Sequence, residues 1–250
     1  MKSLQNMTIW VTGASSGLGR SLAIKLAELG NTVIISARGE EKLQEIQERF
    51  PDNVKVFACD VSEASSLAEL GTRCERLDLV IACAGTCEYD DKPSFDEAMY
   101  RRVFDVNFFG SLNTLRAAMP LLKLSALKPR FAFVGSLSSI APFPRAEAYG
   151  ASKAAVDYLA ETSMIDLARH NIAVSLVRPG FVDTPLTQKN DFPMPFMLHS
   201  DDAASRLIKG LEKEKAIIDF PTRLSFTIKL LGSIRILWRR VIAPSMARSM

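Results

Sequence analysis

Short runs of branched and aromatic residues recur along this 250-residue chain, and between them leucine and alanine return every three or four positions. The runs TIWV (8–11), TVIISA (32–37), VKVFA (54–58), DLVIAC (78–83), FAFV (131–134), IAVSLV (172–177) and AIIDF (216–220) are mostly apolar at odd and even positions alike, so they read as strands buried on both faces. Leu18, Leu22, Leu26 and Leu29 share one face of a predicted helix that Gly30 closes. A charged helix is expected around 40–49, with long helices over about 96–122 and 147–170. Strands alternating with helices predict an α/β fold, a doubly wound Rossmann-type parallel sheet with helices on both faces. Neither a repeat nor a linker interrupts the pattern, so residues 1–220 are expected to form one domain.

Ligands of such sheets bind beyond the carboxyl ends of the strands, near the point where strand order reverses. The residues with chemistry fall at those ends. TGASSGLG (12–19) joins strand one to a helix; its glycines let a backbone approach a pyrophosphate, and the helix N-terminus favours negative charge. A tight turn without a ligand is the plainer reading, and the strand-to-helix placement favours dinucleotide binding. Strand two ends in Ser36-Ala37-Arg38, with no acid to hold a ribose 2′-hydroxyl. Arg38 suits a 2′-phosphate, which points to NADP(H) over NAD(H), unless it pairs with Glu40 or Glu41. Asp60 after strand three could accept from an adenine amino group or cap a turn. Asn107 lies inside a predicted helix, where asparagine is mildly unfavourable unless something holds it.

Tyr149 and Lys153 are four residues apart, on one face if the segment is helical. An ammonium beside a phenol favours the phenolate, so the lysine is expected to lower the tyrosine pKa. Ser136, thirteen residues before the tyrosine, would add a hydroxyl for a substrate carbonyl, although Ser138 and Ser139 follow closely.

Composition narrows the class. Apolar residues make up 48% and charged residues 24%, ordinary globular values. With only His170 and His199, and with Cys59, Cys74, Cys83 and Cys87 forming no C-x-x-C pair, no metal is expected. The first apolar run is too short for a secretory segment, so a cytoplasmic location with reduced thiols is expected. Residues 221–250 hold six basic side chains and no acid, while the whole chain is only +3. The excess charge belongs to that tail, which argues against a nucleic-acid-binding core.

TGASSGLG, Asp60, Ala84-Gly85, Asn107, Ser136, YGASK (149–153) and Arg178-Pro179-Gly180 with Thr184 together resemble the short-chain dehydrogenase/reductases of the short, single-domain type. The likeness covers residues 7 to about 185. It implies a seven-stranded sheet of order 3-2-1-4-5-6-7, a homodimer or homotetramer, and hydride exchange between a nicotinamide and a carbonyl/alcohol pair. Tyr149 would be the general acid or base, Lys153 would bind ribose hydroxyls, Ser136 would hold the substrate oxygen, and Asn107 a water of the proton path. Gly13, Ser15, Ser16, Gly17, Leu18, Gly19, Arg38, Asp60, Val61, Ala84, Gly85, Asn107, Tyr149, Lys153, Pro179, Gly180, Val182 and Thr184 would border the cofactor, Thr184 bonding its carboxamide. Ala82-Cys83 stands where the family has two asparagines, which removes hydrogen bonds near the cofactor.

The family's mobile substrate lid falls at about 186–200. Phe192, Met194, Phe196, Met197 and Leu198 there suggest an apolar substrate, or simple packing. The tail from 221 to 250 reads as a basic amphipathic extension. It would pack on a partner subunit or over the active site, or lie on an anionic membrane face. The expectation is an NADP(H)-dependent oxidoreductase; a silent NADP(H)-binding regulator or redox sensor is the alternative, and an isomerase or dehydratase on the same sheet a weaker one.

Overall fold

The computed structural model describes residues 4–90 and 94–246. Seven strands form one parallel sheet: β1 (Thr8–Thr12), β2 (Thr32–Ser36), β3 (Val54–Val56), β4 (Leu79–Ala82), β5 (Arg130–Val134), β6 (Ala173–Pro179) and, after a separate two-strand pair, β9 (Ile217–Phe220). The pair is β7 (Val182–Asp183) with β8 (Leu198–His199). The main sheet runs β3-β2-β1-β4-β5-β6-β9, which is the expected order with β9 as the seventh strand. Strand order reverses between β1 and β4, and a crevice opens beyond their carboxyl ends.

Two apolar layers follow from the alternation along each strand. Ile9, Val11, Val33, Ile35 and Ile81 face α1 (Gly17–Glu28), α2 (Glu41–Arg49) and α6 (Ser200–Glu212). Trp10, Ile34, Val80, Phe131 and Phe133 face α4 (Gly110–Leu122) and α5 (Glu147–Asp166). Each such fully buried large side chain contributes about 1.5–3 kcal/mol of transfer free energy. Trp10 keeps its polar end satisfied by donating Nε1–H to Ser36 Oγ at 2.9 Å.

The structure departs from the sequence pattern in three places. The stretch read as one helix over 96–122 is α3 (Glu97–Phe104), a wider π-type turn at Asp105–Phe109, and α4. The segment Ala64–Thr72, left unassigned by its periodicity, winds as a 3-10 helix. The predicted helix over 147–170 loosens into a 3-10 turn at Leu167–His170, which Asn171 ends in the left-handed region.

The tail turns back over the domain. Its helix α7 (Thr222–Ser233) buries Leu224 and Ile228 against Leu137 and Ala141, and Trp238 joins the same cluster. Trp238 donates Nε1–H to Pro142 O at 2.6 Å and meets Phe143 edge-on at 5.3 Å. Packing over the domain is thus present among the dispositions expected for this segment. No helix among the described residues is long and apolar enough to cross a membrane.

Candidate active site

A groove of about 780 Å³ runs along the carboxyl ends of β1, β2, β4, β5 and β6. Gly13, Ser15, Ser16, Gly17, Leu18, Gly19, Arg38, Asp60, Val61, Ala84, Gly85, Ser136, Tyr149, Lys153, Pro179, Gly180, Val182 and Thr184 all line it. The loop after β1 is built for close approach. Gly13 has φ +69°, and a Cβ there would stand 2.8 Å from Ala84 Cα; a Cβ on Gly19 would stand 2.2 Å from Gly13 O. At the head of α1, Ser16 makes no side-chain cap, so the helix keeps its N–H groups directed at this groove. This cradle fits a pyrophosphate.

Thr12 answers the departure at positions 82 and 83. Its Oγ1 accepts the Cys83 and Ala84 N–H groups at 3.1 and 3.2 Å, tying the end of β4 to β1 without the asparagines. The Cys83 thiol is pushed up to about 11, mostly by burial, with Lys153 acting against it. Arg38 is exposed on the groove wall and has no ion pair with Glu40 or Glu41 among the described residues. Asp60 caps its own turn, its Oδ1 accepting from Ser62 N and Oγ at 3.0 and 2.7 Å, while the residue also lines the groove.

Asn107 sits behind the groove, not in it. From the π-type turn its amide donates to Thr86 O at 3.0 Å and Ser152 Oγ at 2.9 Å, and its Oδ1 accepts Thr86 N–H at 2.8 Å. The side chain holds the segment after β4 against α5, directly behind Gly85 of the groove. The contacting Thr86 and Ser152 carried no sequence signal of their own.

A second cavity, about 400 Å³, meets the groove at Ser136, Tyr149 and Gly180. Its other walls are largely apolar: Leu137, Phe143, Phe181, Phe192, Phe196 and, from the tail, Leu224, Ile228, Leu231, Trp238 and Ile242. The expected lid closes one side. Asn190 Oδ1 accepts from Tyr89 Oη at 2.7 Å, Asp191 pairs with Arg145 at 2.7 Å, and Phe192 meets Tyr89 and Phe181 edge-on. Cys87, Tyr89 and Arg145 are cavity positions that sequence spacing did not single out.

At the junction, α5 carries both Tyr149 and Lys153, with Nζ 5.9 Å from the phenol ring centroid. Lys153 Nζ donates to Val134 O at 2.9 Å, and burial lowers its pKa to about 8, with Cys83 and Asp157 opposing. Burial pushes the Tyr149 phenol well up, the nearby Cys87 adds to this, and a hydrogen bond with Ser136 acts the other way. The phenol is therefore shifted up in this structure, not down, with burial the largest cause. Ser136 Oγ accepts from Ser138 N and Oγ at 3.1 and 2.9 Å, which leaves its own hydrogen for an oxygen at Tyr149 or on a substrate. Of Ser136, Ser138 and Ser139, Ser136 alone lines both groove and cavity, so Ser136→Ala is expected to lower kcat about a hundredfold, and Ser138→Ala by much less. Near wild-type kcat in Ser136→Ala would move the role to Ser138.

Residues 7–193 match the family described as short chain dehydrogenase. An uncharacterized oxidoreductase of Myxococcus xanthus is 32% identical over 237 residues, covering 92% of this chain and 93% of that one. The 11-beta-hydroxysteroid dehydrogenase A of Sesamum indicum is 36% identical over 187 residues, 71% of this chain and 53% of its own. A Burkholderia cenocepacia short chain dehydrogenase solved in complex with NADP superposes with TM-score 0.85 at 25% identity, over 97% of this chain and 100% of that one. A Burkholderia phymatum short chain dehydrogenase/reductase with NAD gives the same TM-score at 21% identity, over 95% and 96% of the two chains.

Proposed function

The chain belongs to the short-chain dehydrogenase family and is an oxidoreductase, and on that footing we propose that it interconverts an apolar carbonyl compound and its alcohol with NADP(H), Tyr149 exchanging the proton. One observation carries the reading: the phenol stands where a cradle for a dinucleotide opens into an apolar cavity. A nicotinamide cofactor, held by Gly13, Gly17, Gly19, Ala84, Gly85, Lys153 and Thr184, would supply the hydride.

The chain's own groups do the rest. Ser136 orients a carbonyl oxygen and polarises it. Tyr149, kept protonated by burial, donates its proton to that oxygen as negative charge develops. Lys153, its ammonium held by Val134 O, stabilises the phenolate left on Tyr149 once the proton has gone. Leu137, Phe143, Phe192, Ile228 and Trp238 exclude water and receive the apolar body of the substrate.

Arg38 supports NADP(H), because a guanidinium at the end of β2, without an ion pair among the described residues, matches a 2′-phosphate, and strand two ends in no carboxylate for a free hydroxyl. We expect kcat/KM about a hundredfold higher with NADPH than with NADH, falling most of the way to parity in Arg38→Ala. A wild-type preference for NADH would remove the assignment.

The tail has a second face. Phe226, Leu230, Ile234, Ile236 and Val241 are exposed beside Arg223, Arg235, Arg239 and Arg240, a combination that suits anionic lipid. Co-sedimentation with phosphatidylserine vesicles should exceed that of Arg235→Glu/Arg239→Glu; equal sedimentation would leave this face without a lipid role.

A further inference from the structure

Beneath the junction, side chains of alternating charge run from α5 across the sheet to α7. Asp157 lies one helical turn beyond Lys153, and its Oδ2 accepts from Ser139 Oγ at 2.5 Å, itself 2.7 Å from the Ser136 carbonyl oxygen. From β6, Arg178 approaches the same Asp157 oxygen with one terminal nitrogen at 3.4 Å. Its Nε and other terminal nitrogen fork onto the two oxygens of Asp219 at 2.8 and 3.2 Å. Asp219, on β9, then pairs with Lys229 and accepts from Ser225 Oγ at 3.3 Å, both on α7.

The chain is largely out of water: Arg178, Asp157 and Asp219 side chains are 11%, 14% and 9% exposed. The other oxygen of Asp157 is buried without a hydrogen bond and lies against Gly135, where a Cβ would stand 2.5 Å away. The carboxylate is thus packed under the loop that carries Ser136. Burial opposes ionisation of Asp219, yet the bonds from Arg178 and Lys229 outweigh it and hold that carboxyl below its ordinary range. Buried ion pairs are weak stabilisers because dehydration offsets their attraction, whereas breaking one leaves a costly unpaired charge. What this arrangement does supply is a fixed distance between two parts of the site. One end holds the Ser136 loop; the other holds the helix that roofs the apolar cavity.

We infer that Arg178 is a positioning residue that, through Asp157 and Asp219, sets the roof helix of the substrate cavity against the loop carrying Ser136. Its kinetic consequence rests on the carbonyl chemistry proposed above; its mechanical consequence does not.

Two variants test it. Arg178→Lys keeps the charge but cannot fork onto Asp219 while reaching Asp157. Lys229→Met cuts the roof end at a position 49% exposed, so it tests the link should Arg178→Lys not fold. Arg178→Lys is expected to raise KM for an apolar ketone about tenfold with a smaller fall in kcat, Lys229→Met to raise KM about threefold, and both to bind NADPH within about twofold of wild type. Amide hydrogen exchange should quicken in α7 and, together with it, in residues 136–140. Wild-type KM and kcat per bound cofactor in both variants, even with a lower Tm, would show a purely structural role and overturn the inference. Faster exchange confined to α7 would overturn it too. If the wild type reduces no ketone, the proposed function fails by itself, and the exchange pattern alone decides whether roof and loop are coupled.

Discussion

Tyr149→Phe is expected to lower kcat for ketone reduction about a thousandfold while leaving NADPH affinity within about twofold. The substitution removes one oxygen and keeps the ring in its half-buried place on α5. Burial holds the native phenol protonated across the neutral range, so the site is loaded with a proton donor, and the hydrogen bond from Ser136 steadies the oxygen left behind. The same burial works against the phenolate that alcohol oxidation requires. Oxidation should therefore climb with pH further into the alkaline range than reduction tolerates. Steady-state rates with paired cofactor titrations check the prediction; kcat within tenfold of wild type would move the proton to another group.

Lys153→Met should be the next most damaging change, lowering kcat/KM about two to three orders of magnitude. Its signature lies in pH. The native ammonium gives up its proton at about 8 because it is buried, against 10.5 for the free side chain. Below about 8 both folded and unfolded lysines are charged, and native stability does not vary with this group. Between about 8 and 10.5 the unfolded chain binds more protons, so stability rises with pH and the burial penalty disappears. Wild type should thus gain stability over that window, and Lys153→Met should not. Reduction by the free enzyme should decline above about pH 8 as the ammonium is lost. Denaturation midpoints and kcat/KM across pH 7 to 10.5 would measure both; a flat profile in wild type would remove the lysine from the relay.

Much of this was legible in the chain. Strands apolar on both sides of the pleat leave little choice but a covered parallel sheet, and a glycine loop between the first strand and its helix locates the crevice. The spacing of Tyr149 and Lys153 required only a helix, and α5 provides it. What was hidden depends on contacts between distant segments. The π-type turn at Asp105–Phe109 goes with the bonds of Asn107 to Thr86, twenty-one positions earlier. Nothing in a local window marks it. Thr12 substitutes for missing asparagines only because β1 and β4 are neighbours. The direction of the Tyr149 shift reversed for the same reason: spacing reveals a nearby charge, whereas the degree of burial emerges only when lid, loop and tail have closed around the ring. An amphipathic tail announces a face without naming what it covers.

The central claim is that a carbonyl is reduced where the groove meets the apolar cavity. Alcohol formation from a graded series of ketones, with wild-type protein and NADPH, tests it most directly. Alcohol should form, with kcat/KM rising with apolar size until the cavity of about 400 Å³ is filled, and its rate should fall about a thousandfold in Tyr149→Phe. Stoichiometric NADPH binding with no alcohol from any ketone would contradict the account and leave a cofactor-binding protein without turnover.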